Sequence, residues 1–247
     1  MLELLIALVV AAVIVLLLVG RLGPRWRSER RTLTFGESEP VHRAEIEVAA
    51  GPVSVLGRPT GPVRVERSMR WLGARPATTE RVDGGVLRVE SVHQHRSSLR
   101  GEVGYRVELP AAASVRVVAG AGEVAVQGIG GEVEVRARAG RLVVADLGGN
   151  LRASAQAGTI DGTGLACARV EVSSGAGGIT LAFDRPPESV EARAGAGGVD
   201  LLVPEERYRI DASSSAGHVE VGLPSDPAAD RRLSAHSSAG GVRILRR

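Results

Sequence analysis

The 247-residue chain contains no lysine, one cysteine and only 2% aromatic residues. Each absence narrows what the chain can be. All 31 basic residues are arginine, beside abundant Ala, Gly and Val, a pattern of GC-rich coding rather than of guanidinium forks chosen for phosphate. Outside residues 21–31 acids and bases are interspersed, and no basic patch with interleaved aromatics occurs. The formal charge of +3 therefore does not imply a nucleic-acid partner. Cys167 alone forms neither an intramolecular disulfide nor a multi-cysteine zinc site, and it lies too far downstream for N-terminal lipidation. With few aromatics, the core must be built from Val, Leu, Ile and Ala. Thirty-two glycines punctuating short apolar runs predict many short strands and tight turns rather than long helices.

One long apolar run is present. Residues 4–20 read LLIALVVAAVIVLLLVG, seventeen uncharged residues, at the short end of what spans a hydrocarbon core of about 30 Å. Arg21 can snorkel to the headgroups, and Trp26 stands where an interfacial aromatic is expected. A cleaved signal peptide would carry a basic start and an A-x-A-like cleavage site. Here Met-Leu-Glu precedes the run and Gly-Arg-Leu-Gly-Pro-Arg ends it, so the expectation is a retained transmembrane helix over residues 1–20. Membrane lipid is then a partner through residues 4–20 and the arginines that follow. No basic residue precedes the run, whereas Arg21, Arg25, Arg27, Arg30 and Arg31 follow it. The positive-inside rule puts the C-terminal side of a single-pass protein in the cytoplasm, with an extracytoplasmic domain as the alternative. Residues 21–40, with Gly, Pro, Ser and charge, read as an arginine-rich juxtamembrane linker.

The rest of the chain repeats. Ala-Gly recurs with its glycine at 122, 140, 158, 177, 197, 217 and 240, at spacings of 18, 18, 19, 20, 20 and 23 residues. Around each pair the frame is apolar-x-apolar-x-small-x-Ala-Gly-x-apolar-x-apolar, as in VEVRARAGRLVV (133–144) and VEARAGAGGVDL (190–201). Period two means strands with one face inward. The first inward column is Val115, Val133, Leu151, Val170, Val190, Ile210 and Leu233. A fourth column, expected inward, is alanine from Ala121 to Ala239. After the glycine a column runs Val124, Leu142, Ile160, Ile179, Val199, Val219 and Val242. Inward parity switches at Ala-Gly, which fits a β-arc turning both segments toward one interior, with glycine supplying a positive φ or a close backbone approach. The outward residues Arg116, Glu134, Arg152 and Glu171 alternate in sign, as in-register stacking would place them. A unit of 18–20 residues buries its inner face only against its neighbours. The fold class predicted is all-β, a single-stranded β-solenoid or β-helix-like stack over 41–247 behind the transmembrane helix. Residues 41–110 form irregular first coils, and 111–247 the regular ones. The coil over residues 233–245 is expected to end the stack.

Residues 41–247 resemble the bacterial putative-adhesin family, a domain of unknown function made of β-strand repeats. The resemblance lies in IEVAAGPVSV, in YRVELPAAASVRVVAGAGEVAVQGIGG and in the repeated AGxVxV frame. It implies the fold and supplies no functional residues.

Chemistry has few candidates. GAGGIT (175–180) and GAGGVD (195–200) resemble phosphate loops, but they recur at one offset and open no helix, so they read as corners. His93 and His95 share a strand face near Glu90 and Glu102; a solvated strand end explains them better than a metal site, and His218 and His236 read as outward or corner positions. Asp161, Thr180, Asp200 and Glu220 form a weak acidic ridge of the kind a polysaccharide-acting enzyme would need, yet sugar-stacking aromatics are missing. No catalytic, cofactor-binding or metal residues are therefore assigned. The function expected is a non-catalytic, membrane-anchored interaction or scaffold module of the bacterial envelope, with a protein partner or self-association. The alternative is a sensory or regulatory envelope-stress module.

Overall fold

The computed structural model describes residues 26–36, 40–92 and 101–247, and these form an all-β molecule of two mixed sheets. The apolar run of residues 4–20 lies outside the described residues, as do His93 and His95.

Each Ala-Gly frame becomes two strands, one per sheet. The pairs are β8 (Ser114–Ala121) and β9 (Val124–Gln127), β10 (Val133–Ala139) and β11 (Leu142–Ala145), and β12 (Leu151–Ala157) and β13 (Ile160–Leu165). They continue as β14 (Arg169–Ala176) and β15 (Ile179–Phe183), then β16 (Ser189–Ala196) and β17 (Val199–Val203). The first member of each pair joins a ten-stranded sheet and the second an eleven-stranded one. Neighbouring coils pair in parallel register, so the columns are literal: Val115 beside Val133, Leu151, Val170 and Val190. In the other sheet Val124 is followed by Leu142, Ile160, Ile179 and Val199. All of these are buried, and the core is the space between the two sheets. Fully burying such a side chain contributes about 1.5–3 kcal/mol.

Two features of the corners go beyond the repeat. At Gly197 φ is +141°, and a Cβ there would run into the carbonyl of Gly177 one coil below, so the column needs glycine on both counts. The fourth alanine column, by contrast, is exposed from Ala121 to Ala239, not inward as expected. The turn begins earlier than the Ala-Gly pair: the ladder steps from Ala137 beside Ala155 directly to Ala139 beside Ala157. The last inward position is therefore the third, Ala119, Ala137, Ala155, Ser174 and Ala194. Where serine occupies it, the hydroxyl donates to a corner carbonyl, Ser174 Oγ to Gly158 O at 2.9 Å and Ser237 Oγ to Gly197 O at 2.8 Å. On the opposite side of the core Ile129, Leu147, Cys167 and Tyr208 are buried in the return loops. Cys167 is thus an apolar stopper, and burial pushes its thiol up to about 11.

The stacking order departs from chain order at the C-terminal end. β18 (Arg209–Ala216) and β19 (Val219–Val221) precede β20 (Arg232–Ala239) and β21 (Val242–Arg246) in sequence. In space β20 sits between β16 and β18, and β21 between β17 and β19. The coil over 233–245, expected to be terminal, is interior. Residues 222–231 make this possible by passing outside β18, burying Leu223 and Ala229 as they return.

The first region is likewise interleaved. β2 (Arg43–Ala50) and β3 (Val53–Arg58), around their own Gly51 corner, stack on β8 and β9. Beyond them lie β6 (Val86–Val92) and β7 (Gly101–Pro110), still parallel. β4 (Val63–Trp71) and β5 (Ala77–Asp83) then close this end antiparallel to β7 and β6. β1 (Arg27–Phe35) pairs antiparallel with β4 over its whole length, from Arg27 beside Trp71 to Phe35 beside Val63. Much of the segment expected to be linker is therefore an edge strand. Its period-two signal, Leu33 and Phe35 packed against the core with Thr32 and Thr34 outside, is obscured in the sequence by the charges before it.

Candidate functional site

The sequence candidates for chemistry are taken apart by the fold. The glycines of GAGGIT and GAGGVD stand in the corner ladder, with Gly177 and Gly197 at positive φ. The acidic ridge does not survive the strand order, because Arg243 of β21 enters between Asp200 and Glu220. It holds both oxygens of Asp200 at 2.7 Å, while Arg141 takes Asp161 at 2.7 Å.

The outer face of the ten-stranded sheet carries a longer charge ladder than the sequence suggested. Across the strands it runs Arg88, Glu45, Arg116, Glu134, Arg152, Glu171, alternating at every step. The ion pairs are Arg88–Glu45 at 3.3 Å, Arg116–Glu134 at 3.6 Å and Arg152–Glu171 at 2.9 Å. Solvent screens exposed pairs of this kind, so together they fix register more than they add stability. Arg88 and Glu45 were missed because their place in the column depends on the non-sequential first coils.

His236 is outward, as expected, and has company that only the strand order reveals. Its Nδ1 lies 2.8 Å from Ser213 Oγ on β18 and its Nε2 2.9 Å from Ser234 Oγ, with Asp211 Oδ2 3.9 Å from Nε2. A nucleophilic triad needs the carboxylate on one ring nitrogen and the hydroxyl on the other. Here a hydroxyl satisfies both nitrogens on an open sheet face, and the group ties β18 to β20.

At the β1–β4 end a charged cluster crosses the core. Arg67, on an inward position of β4 with its side chain 4% exposed, donates to Glu80 at 2.8 Å, Glu29 at 2.9 Å and Thr78 at 2.5 Å. The Tyr105 hydroxyl donates to Glu80 at 2.8 Å. Burial pulls the Arg67 guanidinium down, but hydrogen bonding and attraction to Glu80 outweigh it and leave the group raised. Burial first, and the Glu80 charge second, push the Tyr105 hydroxyl up. The cluster links both sheets and joins β1 to them. Removing either partner would leave an uncompensated buried charge, so the cluster is costly to break.

The β18–β19 end is open. Both strands pair on one side only. The inward columns, buried in the regular coils, are covered less here: Ile210, Ala212 and Val219 pack against the core but are only partly buried, and Val221 is 39% exposed. The returning segment covers the start of β18, where Ile210 N donates to Ser225 Oγ at 3.1 Å and Asp226 N to Tyr208 O at 2.8 Å. Residues 212–216 and β19 remain uncovered by it. This end presents unpaired strand edges beside partly exposed apolar side chains, whereas at the other end Trp26, 58% exposed, precedes a β1 edge dense in charge.

No family model and no curated protein matches the sequence. Among solved structures the chain is similar to a putative cell adhesion protein from Clostridium sporogenes, at 10% identity over 90% of this chain and 100% of that one, with a TM-score of 0.40. It is similar to a putative adhesin from Bacteroides fragilis at 12% identity over 90% and 99% of the two chains, TM-score 0.43. A third likeness is to a putative lipid binding protein from Parabacteroides distasonis, at 9% identity over 89% and 97%, TM-score 0.38. Likenesses of this depth assign no function.

Proposed function

We propose that this chain is a single-pass, membrane-anchored β-solenoid of the adhesin-like kind that serves as a non-catalytic interaction or scaffold module of the bacterial envelope. The observation that carries the reading is the β18–β19 coil, a sheet end whose edge is uncharged over residues 212–216 and whose apolar columns are partly exposed. A chain with no need to bind would blunt such an edge. Residues 4–20 form the anchor in this reading, with Arg21 and Arg25 at the headgroups and the fold beginning at once with β1. The arginine excess after the anchor puts the solenoid in the cytoplasm.

Carbonate extraction and protease shaving of intact cells test it. The full chain stays in the membrane fraction after carbonate, deletion of residues 4–20 releases it, and protease reaches the C-terminal domain only after lysis. Release of the full chain by carbonate would contradict the anchor, and cleavage in intact cells would contradict the orientation.

A further inference from the structure

The two ends of the stack differ in charge. At one, the edge strands are β1, with Arg27, Glu29, Arg30 and Arg31, and β5, with Glu80, Arg81 and Asp83. Edge charges of this kind deter strand addition. At the other, the uncovered part of β18, residues 212–216, reads Ala-Ser-Ser-Ser-Ala, with neither charge nor proline. β19 is three residues long and leaves Val221 exposed.

The described C-terminal residues lie elsewhere. Arg247 N donates to Val203 O at 3.0 Å, and the Arg247 side chain pairs with Asp184, which draws the C-terminal residues toward inner coils. Residues 93–100 connect β6 to β7, and β7 is eight strand positions from β19. At about 4.8 Å per position that is roughly 38 Å, too far for an out-and-back path of eight residues at no more than ~3.6 Å each. In the proposed reading residues 4–20 are held by the membrane, and β1, the first described strand, lies at the charged end.

We propose that this end docks a second copy of the same chain, β18 against β18 in antiparallel register about a two-fold axis normal to the sheet. The proposal rests on the reading of the chain as an interaction module. With Ser213 on the axis, Ala212 faces Ser214 and Asp211 faces Ser215 of the second copy. Small residues meet small ones, and no like charges are opposed along β18. The same rotation turns the eleven-stranded sheet's edge, Val219–Val221, toward its own image, with Arg243 beside each Glu220 to offset the charge. Such an isologous contact closes on itself, so the product is a dimer and not a filament. The charged β1–β5 end, which does not match the bare one, is left out of the contact.

The test uses the full chain in nanodiscs. Opposed residues of an antiparallel pair have Cα atoms about 4.5–5.5 Å apart, within disulfide range, and the native thiol of Cys167 is buried. Under mild oxidant Ser213→Cys is expected to give a covalent dimer at least tenfold more abundantly than Thr32→Cys on β1. Ser213→Lys, at an exposed position, keeps the parent's far-ultraviolet circular dichroism but shifts the sedimenting species from dimer to monomer. A monomeric parent, a Ser213→Cys yield no higher than that of Thr32→Cys, or a Ser213→Lys variant that stays dimeric would overturn the proposal. A monomeric chain that binds an unrelated protein at this edge, and loses it with Ser213→Lys, overturns the second-copy assignment and leaves the interaction module standing. A monomeric chain with no edge-dependent partner overturns both.

Discussion

Gly197 shows how narrowly a single position is specified. Its φ of +141° is a conformation L side chains rarely adopt, and the Cβ of any other residue would collide with the Gly177 carbonyl. Gly197→Val is expected to lower stability by more than the roughly 1–2 kcal/mol of backbone strain alone, because a backbone oxygen in a ladder does not move aside. Thermal unfolding of the variant at the parent's temperature would rule out the strained corner. Two residues on, the inward and outward positions separate cleanly. Val199→Asp puts an unpaired carboxylate into a fully buried column and should unfold the domain or cost more than ~4 kcal/mol. Asp200→Asn loses one exposed, solvent-screened ion pair with Arg243 and should leave the unfolding midpoint nearly unchanged. Comparable losses in denaturant titrations of the two would reverse the assignment of faces. At the charged end, the Arg75 hydrogen bond holds the Glu29 carboxyl below its ordinary 4.5. A depressed carboxyl stabilises the fold above its unfolded pKa and ceases to do so as pH falls through the folded one. Glu29→Gln should therefore flatten the acid limb of stability below about pH 4.5; an unchanged limb would show that β1 is not held by this pair.

At the scale of strands, the sequence was legible wherever the repeat was local. The frame around each Ala-Gly pair specifies two strands, their inward faces, their register and the glycine corner, because all of these follow from a period-two pattern within a dozen residues. Strand order is not local. Nothing in VEV (219–221) or VRIL (242–245) states which is outermost; the detour of residues 222–231 decides it, and with it the pairing of His236 with Ser213 and the breaking of the acidic ridge by Arg243. The exposed alanine column was misread because the turn starts before the glycine that marks it. β1 was missed because its partner, β4, is known only once β7 has inserted beside β3. The non-sequential order makes a sharp prediction. Val242, buried on both sides of its column, should be far less tolerant of aspartate than the partly buried Val219. If Val242→Asp and Val219→Asp destabilise to the same extent, or Val219→Asp more, then β19 and not β21 is the interior strand.

As a whole, the molecule is a stack with unlike ends. One is closed by antiparallel strands, edge charges and a buried arginine cluster, and the other stops with its apolar columns half covered. In the proposed setting the closed end is the one tied to the membrane and the open end is the one free to meet a partner. The open end is the central claim, and amide hydrogen exchange on the full chain in nanodiscs, at high dilution, tests it most directly. The account predicts rapid exchange across residues 212–216 and 219–221, with residues 232–246 as slow as β16 and β17 although they come last in the chain. Protection of 212–221 equal to that of β16, or exchange across 232–246 as rapid as at an edge, would contradict it.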